Sequence, residues 1–276
     1  MSYLIVENLT KTFMSFDALH NVSFSAEKGE IVVFIGNSGS GKTTLLRCLN
    51  GLTIAEEGTI KLNGQRVFAA DKESSAKRDN ESNNMLMQKT AFNQSFGLVF
   101  QSFNLFPHLS VLSNVTLAAK IRAKNDILSA RQLTKREKRL KYETCKKEII
   151  SNALLLLERI GIKQKALEYP CQLSGGQSQR AAIVRALMLD PDVICFDEPT
   201  SALDPVSAGE VANLILSIKS NEKIILVVTH DMNLAKTVAD KVIFIDEGEI
   251  KEQGTPNQLF DFAQSRKLKE FLTVKE

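Results

Sequence analysis

The stretch that decides the fold runs Ile31-Val32-Val33-Phe34-Ile35-Gly36-Asn37-Ser38-Gly39-Ser40-Gly41-Lys42-Thr43-Thr44. Its first five residues are continuously apolar, which reads as a central strand covered on both faces. Residues Gly36 to Thr43 then fit the pattern G-x-x-x-x-G-K-[ST], and the helical pattern Lys42–Asn50 follows, so the motif sits between strand and helix as its chemistry demands. A polyphosphate needs many close donors. Glycine, lacking a β-carbon, lets the backbone curl and aim successive N–H groups inward, and the helix start adds further N–H groups and a positive dipole end. Lys42 is placed to bridge β- and γ-phosphates, and the Thr43 hydroxyl to coordinate Mg²⁺.

Working outward, Val193-Ile194-Cys195-Phe196-Asp197-Glu198 is a second apolar strand, ending in two carboxylates. Carboxylates at the C-terminal edge of a parallel strand face the crevice where ligands bind. Asp197 is placed to hold Mg²⁺ through water, and Glu198 to orient or deprotonate an attacking water. Further strands are expected at Tyr3–Val6, His20–Ser25, Thr59–Leu62, Gly97–Phe100, Ile224–Thr229 and Lys241–Ile245. Helices are expected at Gln177–Leu189, Pro205–Ser217 and Met232–Ala239. Strand–helix alternation argues for an α/β fold with a parallel sheet. The first strands lack intervening helices, so an antiparallel portion is expected near the N-terminus.

Two stretches break the pattern. Residues 71–95 are rich in Asn, Ser and Lys and read as a solvated insertion. Residues 122–159 read as helical and begin basic: Arg131, Lys135, Arg136, Lys138, Arg139 and Lys141 stand against Glu137 alone, a local +5. That run reads as a solvated helix face, with acidic lipid headgroups or an acidic partner as the other reading.

The 276 residues suffice for a sizeable core, and a net charge of +3 (35 Lys and Arg, 32 Asp and Glu) makes no case for nucleic-acid binding by bulk charge. The 4 cysteines, Cys48, Cys145, Cys171 and Cys195, form no CxxC pair and fit a reducing cytosol. No apolar run reaches the ~20 residues of a membrane span, and the N-terminus does not read as a signal peptide.

More motifs complete the pattern. Gln101 follows the strand GLVF. Leu173-Ser174-Gly175-Gly176-Gln177 (LSGGQ) precedes a helix. Ser201-Ala202-Leu203-Asp204 follows the carboxylate pair, His230 follows IILVVT, and Phe13 precedes the cradle. With these motifs in this order, the chain resembles the ATP-binding subunit of ABC transporters over nearly all of residues 1–255. The resemblance implies an α/β, P-loop NTPase (RecA-like) fold: a parallel sheet core, an N-terminal antiparallel β subdomain and an inserted α-helical subdomain. It implies one ABC ATPase domain over residues 1–276. In it, 1–101 and 173–255 are the catalytic core, 102–172 the helical subdomain and 256–276 a C-terminal helical tail.

The resemblance also implies roles. ATP would be bound by Phe13, Gly36, Asn37, Ser38, Gly39, Ser40, Gly41, Lys42, Thr43 and Thr44. Phe13 would stack on adenine, with Phe16 as its competitor. Mg²⁺ would be held by Thr43, Gln101 and Asp197, and catalysis carried by Glu198, His230, Gln101 and Lys42. Ser174, Gly175, Gly176 and Gln177 would meet the γ-phosphate held by a second copy. Two subunits, identical or paired with another ABC ATPase, would thus sandwich two nucleotides, with Ser174, Gly176 and Asp204 at the dimer interface. Phe103, Leu105, Phe106 and Pro107 read either as a partner surface or as ordinary core packing. The wording TTLLRCLNGL and YPCQLSGGQSQRAAIVRALMLDPDVICFDEPTSALDP resembles the polar amino acid uptake branch. The family's pattern is departed from at Asn37, Ser178 and Cys171. Implied partners are two integral membrane permease subunits and, indirectly, an extracytoplasmic solute-binding protein, with no nucleic acid. The implied location is cytoplasmic, peripheral on the inner face of the cell membrane. The alternatives are the ATPase of a lipoprotein-release or cell-division system, or a soluble non-transport ABC ATPase.

Overall fold

The computed structural model describes residues 2–13, 16–70, 95–130, 132–201 and 203–275. Its contacts divide the chain into two compact units. One holds residues 1–101 with 191–276, the other residues 102–190. Residues 173–190 fall in the second unit with the helices that precede them.

The first unit carries two sheets. Long β1 (Leu4–Phe13) pairs antiparallel with β2 (Phe16–Ala26) on one side and β4 (Glu57–Leu62) on the other, and β5 (Gln65–Ala70) completes the order β2-β1-β4-β5. The second sheet has the order β10-β9-β3-β8-β7-β6. It comprises β3 (Ile31–Ile35), β6 (Phe96–Val99), β7 (Val193–Asp197), β8 (Ile224–Val228), β9 (Lys241–Asp246) and β10 (Glu249–Gly254). Strands β3, β6, β7, β8 and β9 are parallel, while β10 turns back antiparallel on β9.

Every residue of β3, β7 and β8 is buried, as continuous apolar strands in a doubly covered sheet should be. Phe24 of β2 meets Phe34 of β3 edge-on at 5.1 Å, joining the two sheets through one apolar core. Each large side chain fully buried there contributes about 1.5–3 kcal/mol over its exposed state. Helix α1 (Lys42–Leu49) follows β3 directly, and buries Leu45, Leu46 and Leu49 in that core.

The second unit is helical. Helix α2 (Val111–Ser129) packs on α3 (Lys135–Arg159) and on α4 (Gly175–Leu187), burying Val111, Val115 and Ala119 of α2 and Ala153 and Leu157 of α3. The helical stretch expected over 122–159 is therefore two helices. The break falls before Thr134, which starts α3 with a capping box: its hydroxyl accepts from Glu137 N, and Glu137 accepts from Thr134 N at 2.8 Å. Of the basic run, Arg131 lies outside the described residues, and Lys135, Arg136, Arg139 and Lys141 are exposed. Residues 71–94 of the expected insertion also lie outside them.

Helices α5 (Pro205–Ile218), α6 (Met232–Val238), α7 (Pro256–Asp261) and α8 (Arg266–Lys275) return the chain to the first unit. The tail expected to be helical is thus two short helices, and its Phe271 packs on Phe244 of β9 at 5.3 Å.

Candidate functional site

The loop between β3 and α1 winds around its own lysine. Lys42 is buried, and its ammonium donates to Gly36 O (2.9 Å), Asn37 O (2.7 Å) and Ser40 Oγ (3.2 Å). Two glycines make the winding possible. Gly36 has φ 152°, and a β-carbon there would lie 2.1 Å from Ile245 O. Gly41 has φ 101°, and a β-carbon there would lie 2.2 Å from Ala18 O. Neither position has room for any other residue. Ser38 and Gly39 at the loop's crest are exposed.

The ends of β7 and β8 face this loop. Asp197 is buried, and its Oδ1 accepts from the Thr43 hydroxyl at 2.8 Å. Burial pushes its carboxyl above the ordinary range, while the Thr43 hydrogen bond and the charges of Arg47 and Lys42 pull it back. Next in the chain, Glu198 sits at φ 50°, a left-handed conformation uncommon for its type. Its N–H remains tied to Val228 O at 2.9 Å, and its carboxylate reaches His230, 2.7 Å from Nδ1 and 3.3 Å from the backbone N. An ionised carboxylate only accepts, so Nδ1 carries the proton in this pair and Nε2 stays uncommitted among the described residues.

Several of these groups, though not Asp197, line one cleft of about 380 Å³. Lys42, Thr43, Thr44, Gln101, Glu198 and His230 face it from the sheet edge, and Phe13 and Phe16 from the end of the β1–β2 hairpin. Both phenylalanines are half-exposed or more, at 48% and 58%, and are direct partners in the β1–β2 register, so the structure leaves both at the cleft. Lys11 Nζ lies 4.9 Å from the Phe13 ring centroid, a cation–π contact at the rim of the cleft.

Two residues escaped the sequence reading. The Thr200 hydroxyl donates to Asp231 Oδ2 at 3.2 Å, and Asp231 caps α6 by accepting from Asn233 N (2.9 Å) and Leu234 N (3.1 Å). Together they tie the turn bearing Glu198 to the turn bearing His230. A Thr two residues past the carboxylate and an Asp one past the histidine were the available signals.

The signature residues belong to the other unit. Ser174 is the N-cap of α4, its Oγ accepting from Gln177 N at 3.3 Å while Gln177 Oε1 accepts from Ser174 N at 3.0 Å. Ser174 and Gly175 are exposed. Asp204 caps α5 in the same manner, taking Val206 N, Ser207 N and the Ser207 hydroxyl, which hold its carboxyl below the ordinary range. Ala202, two residues before it, lies outside the described residues. Among the described residues no cluster of three His, Cys, Asp or Glu side chains makes a metal cage. The hydroxyl and carboxylate oxygens of Thr43 and Asp197 nonetheless suit a hard dication that also uses phosphate oxygens.

The family described as ABC transporter matches residues 19–201. The chain is 38% identical over 267 residues to the glutamine transport ATP-binding protein GlnQ of Bacillus subtilis (strain 168), covering 97% of this chain and 96% of that one. It is 40% identical over 271 residues to the histidine/lysine/arginine/ornithine transport ATP-binding protein HisP of Salmonella typhimurium, covering 98% and 96%. Among solved structures, a dimeric post-hydrolysis state of the ATP-binding cassette MJ0796 bound to ADP and Pi superposes with a TM-score of 0.67 at 29% identity, over 92% of this chain and 98% of that one.

Proposed function

This chain belongs to the ABC transporter family and is one of its ATPases, and from that premise we propose that it powers a membrane importer of polar amino acids. The observation that carries the catalytic part is the Glu198–His230 contact of 2.7 Å in the cleft that also holds Lys42. The γ-phosphate sits over the Gly36–Thr43 loop, against the Lys42 ammonium and the amides of Asn37 to Thr44. Glu198 orients the attacking water for in-line displacement and takes up its proton. His230 is held by Glu198 through Nδ1 and, as the imidazolium with both ring nitrogens protonated, donates from Nε2 to the γ-phosphate. Thr43, Asp197 and Gln101 hold Mg²⁺, which neutralises developing charge on the phosphate oxygens when bound. Phe13 or Phe16 stacks on the base.

The second half of the phosphate shell comes from a second copy, or from another ABC ATPase. Ser174, Gly175, Gly176 and Gln177 of that subunit close on the γ-phosphate, with Asp204 at the same interface. The dimeric relative MJ0796 supports such pairing. Among the described residues no helix is long and apolar enough to cross a membrane. Translocation therefore falls to two permease subunits, fed by an extracytoplasmic binding protein, with this chain on the cytoplasmic face. Phe106 and Pro107 are exposed and Phe103 and Leu105 half-buried, which supports this loop as the permease contact.

Phosphate release by the wild type and by Glu198→Gln tests the mechanism. The variant should lose on the order of 10²–10⁴-fold in turnover and accumulate an ATP-bound dimer; equal rates would overturn the role of Glu198. Uptake of radiolabelled glutamine, histidine and cystine into vesicles carrying the native complex tests the cargo. A co-purifying lipoprotein-release or cell-division membrane protein would overturn it.

A further inference from the structure

The loop after Gln101 is held by an arginine with no part in the chemistry above. Phe103 and Asn104 are consecutive left-handed residues, with φ of 59° and 48°. Asn104 N–H donates to Ser102 O at 2.6 Å, closing a tight three-residue turn around the phenylalanine. A bulky side chain at positive φ is an outlier that persists only when its surroundings enforce it.

The enforcing group is Arg185, in the last turn of α4. Its Nη2 donates to Phe103 O at 2.8 Å, and its Nη1 donates to Asn104 O. The guanidinium forms no ion pair among the described residues, and burial pushes its pKa below the usual range. A cation has been brought in from water to bond two backbone carbonyls. The planar fork reaches both with two N–H groups held in a fixed geometry, which a flexible ammonium does not fix.

Farther along, buried Asn114 of α2 grips the same loop. Its Oδ1 accepts from Phe106 N at 2.7 Å, and its Nδ2 donates to Phe106 O at 3.1 Å and Leu109 O at 2.9 Å. The exposed rim at Phe106 and Pro107 is thus strung between an α4 clamp and an α2 clamp. Helix α4 itself begins at the signature: Ser174 caps it, and Arg185 stands eleven residues later, about 16 Å along the axis at 1.5 Å per residue. One stiff helix bears the phosphate-facing tip at one end and the grip on the exposed loop at the other.

We propose that Arg185 is a positioning residue that makes the loop Ser102–Pro107 move with α4, so that nucleotide capture at Ser174–Gln177 is relayed to the surface that meets the permease. This rests on the reading above, in which the signature meets the second copy's γ-phosphate and the loop is the permease contact.

The test uses the full-length chain carrying Glu198→Gln, so that Mg-ATP holds the dimer. Cys145→Ser and Cys171→Ser remove the accessible thiols. Cys48 and Cys195 are buried, with thiols pushed up to about 12, and do not compete for label. An environment-sensitive fluorophore is placed at exposed position 108 through His108→Cys. With Arg185 intact, Mg-ATP should double the mass by light scattering and shift the emission. Arg185→Gln and Arg185→Lys should still dimerise but lose the emission shift, the lysine failing because it keeps the charge without the fork. Should Arg185→Gln not fold, Arg185→Lys decides. A full shift in either variant, loss of the dimer along with the shift, or a dimer without a shift in the parent would each overturn the relay. No dimer in the parent would overturn the two-copy reading itself, and the relay with it.

Discussion

The two helix N-termini that carry the glycine motifs are built in opposite ways. Helix α1 starts from Gly41 in a left-handed conformation with no side-chain cap, at a loop drawn tight around buried Lys42. Helix α4 starts from Ser174 with a complete capping box and stands exposed. The first leaves its leading N–H groups to whatever the loop encloses. The second already satisfies its N3 amide with its own hydroxyl, and so is stable as a free-standing tip. On the proposed reading, a site that grips a nucleotide and a tip offered to another subunit's nucleotide would differ in this way, because only the second would have to persist without the phosphate.

The comparison can be broken at its tightest point. Gly41→Ala places a β-carbon 2.2 Å from Ala18 O at φ 101°. Left-handed strain alone is worth about 1–3 kcal/mol, and the backbone overlap adds to it, so nucleotide affinity should fall at least about 100-fold in titrations with a fluorescent ATP analogue. Retained affinity would show that the loop does not need its observed winding.

A finer cut separates capping from phosphate contact at the other tip. Ser174→Ala removes the cap, costing about 1 kcal/mol of stability, and weakens ATP-dependent dimerisation. Ser174→Asp restores the cap, and with it the melting temperature, but sets a negative charge against the incoming γ-phosphate. It should dimerise worse than Ser174→Ala in sedimentation runs with Mg-ATP. If Ser174→Asp dimerises as well as wild type, the tip is a structural cap only.

The smallest effect concerns Asp197. Burial raises its carboxyl pKa above the ordinary 3.8, so as pH rises the unfolded chain loses this proton first. Stability therefore falls as pH climbs from about 3.8 through the folded value, and stays lower beyond it. Asp197→Asn removes that slope. Melting scans without nucleotide should show the variant above wild type near neutral pH and level with it at the acid end. An unchanged pH slope would remove burial as the source of the shift. At the exposed cap of α5 the sign reverses: Asp204 is held low by Ser207 and its neighbours, so it carries no such penalty.

Much of the cleft could be read without coordinates, since its parts are local. Gly36 to Thr44 follow one strand and start one helix, and Asp197 and Glu198 end another strand. Polar edge strands were harder. Gln65–Ala70 and Glu249–Gly254 escaped notice because half-exposed edge residues show no apolar pattern. The break between α2 and α3 was missed because both flanks have helical composition, and the Thr134–Glu137 capping box gave the only local signal. The Thr200–Asp231 tie and the Arg185 grip on Phe103 and Asn104 join residues 31 to 82 positions apart, a separation that no periodicity encodes.

By itself the sequence determined the strand-to-helix phosphate loop, the carboxylate pair and the helix start at the signature, because each depends on neighbours within a few residues. Only the tertiary structure decided that β3 lies between β8 and β9, that Glu198 meets His230, and that both Phe13 and Phe16 reach the cleft. These outcomes follow from burying β3, β7 and β8 on both faces. Packing of distant segments, which no short window of residues contains, selects the strand order and the side chains that its edge brings together.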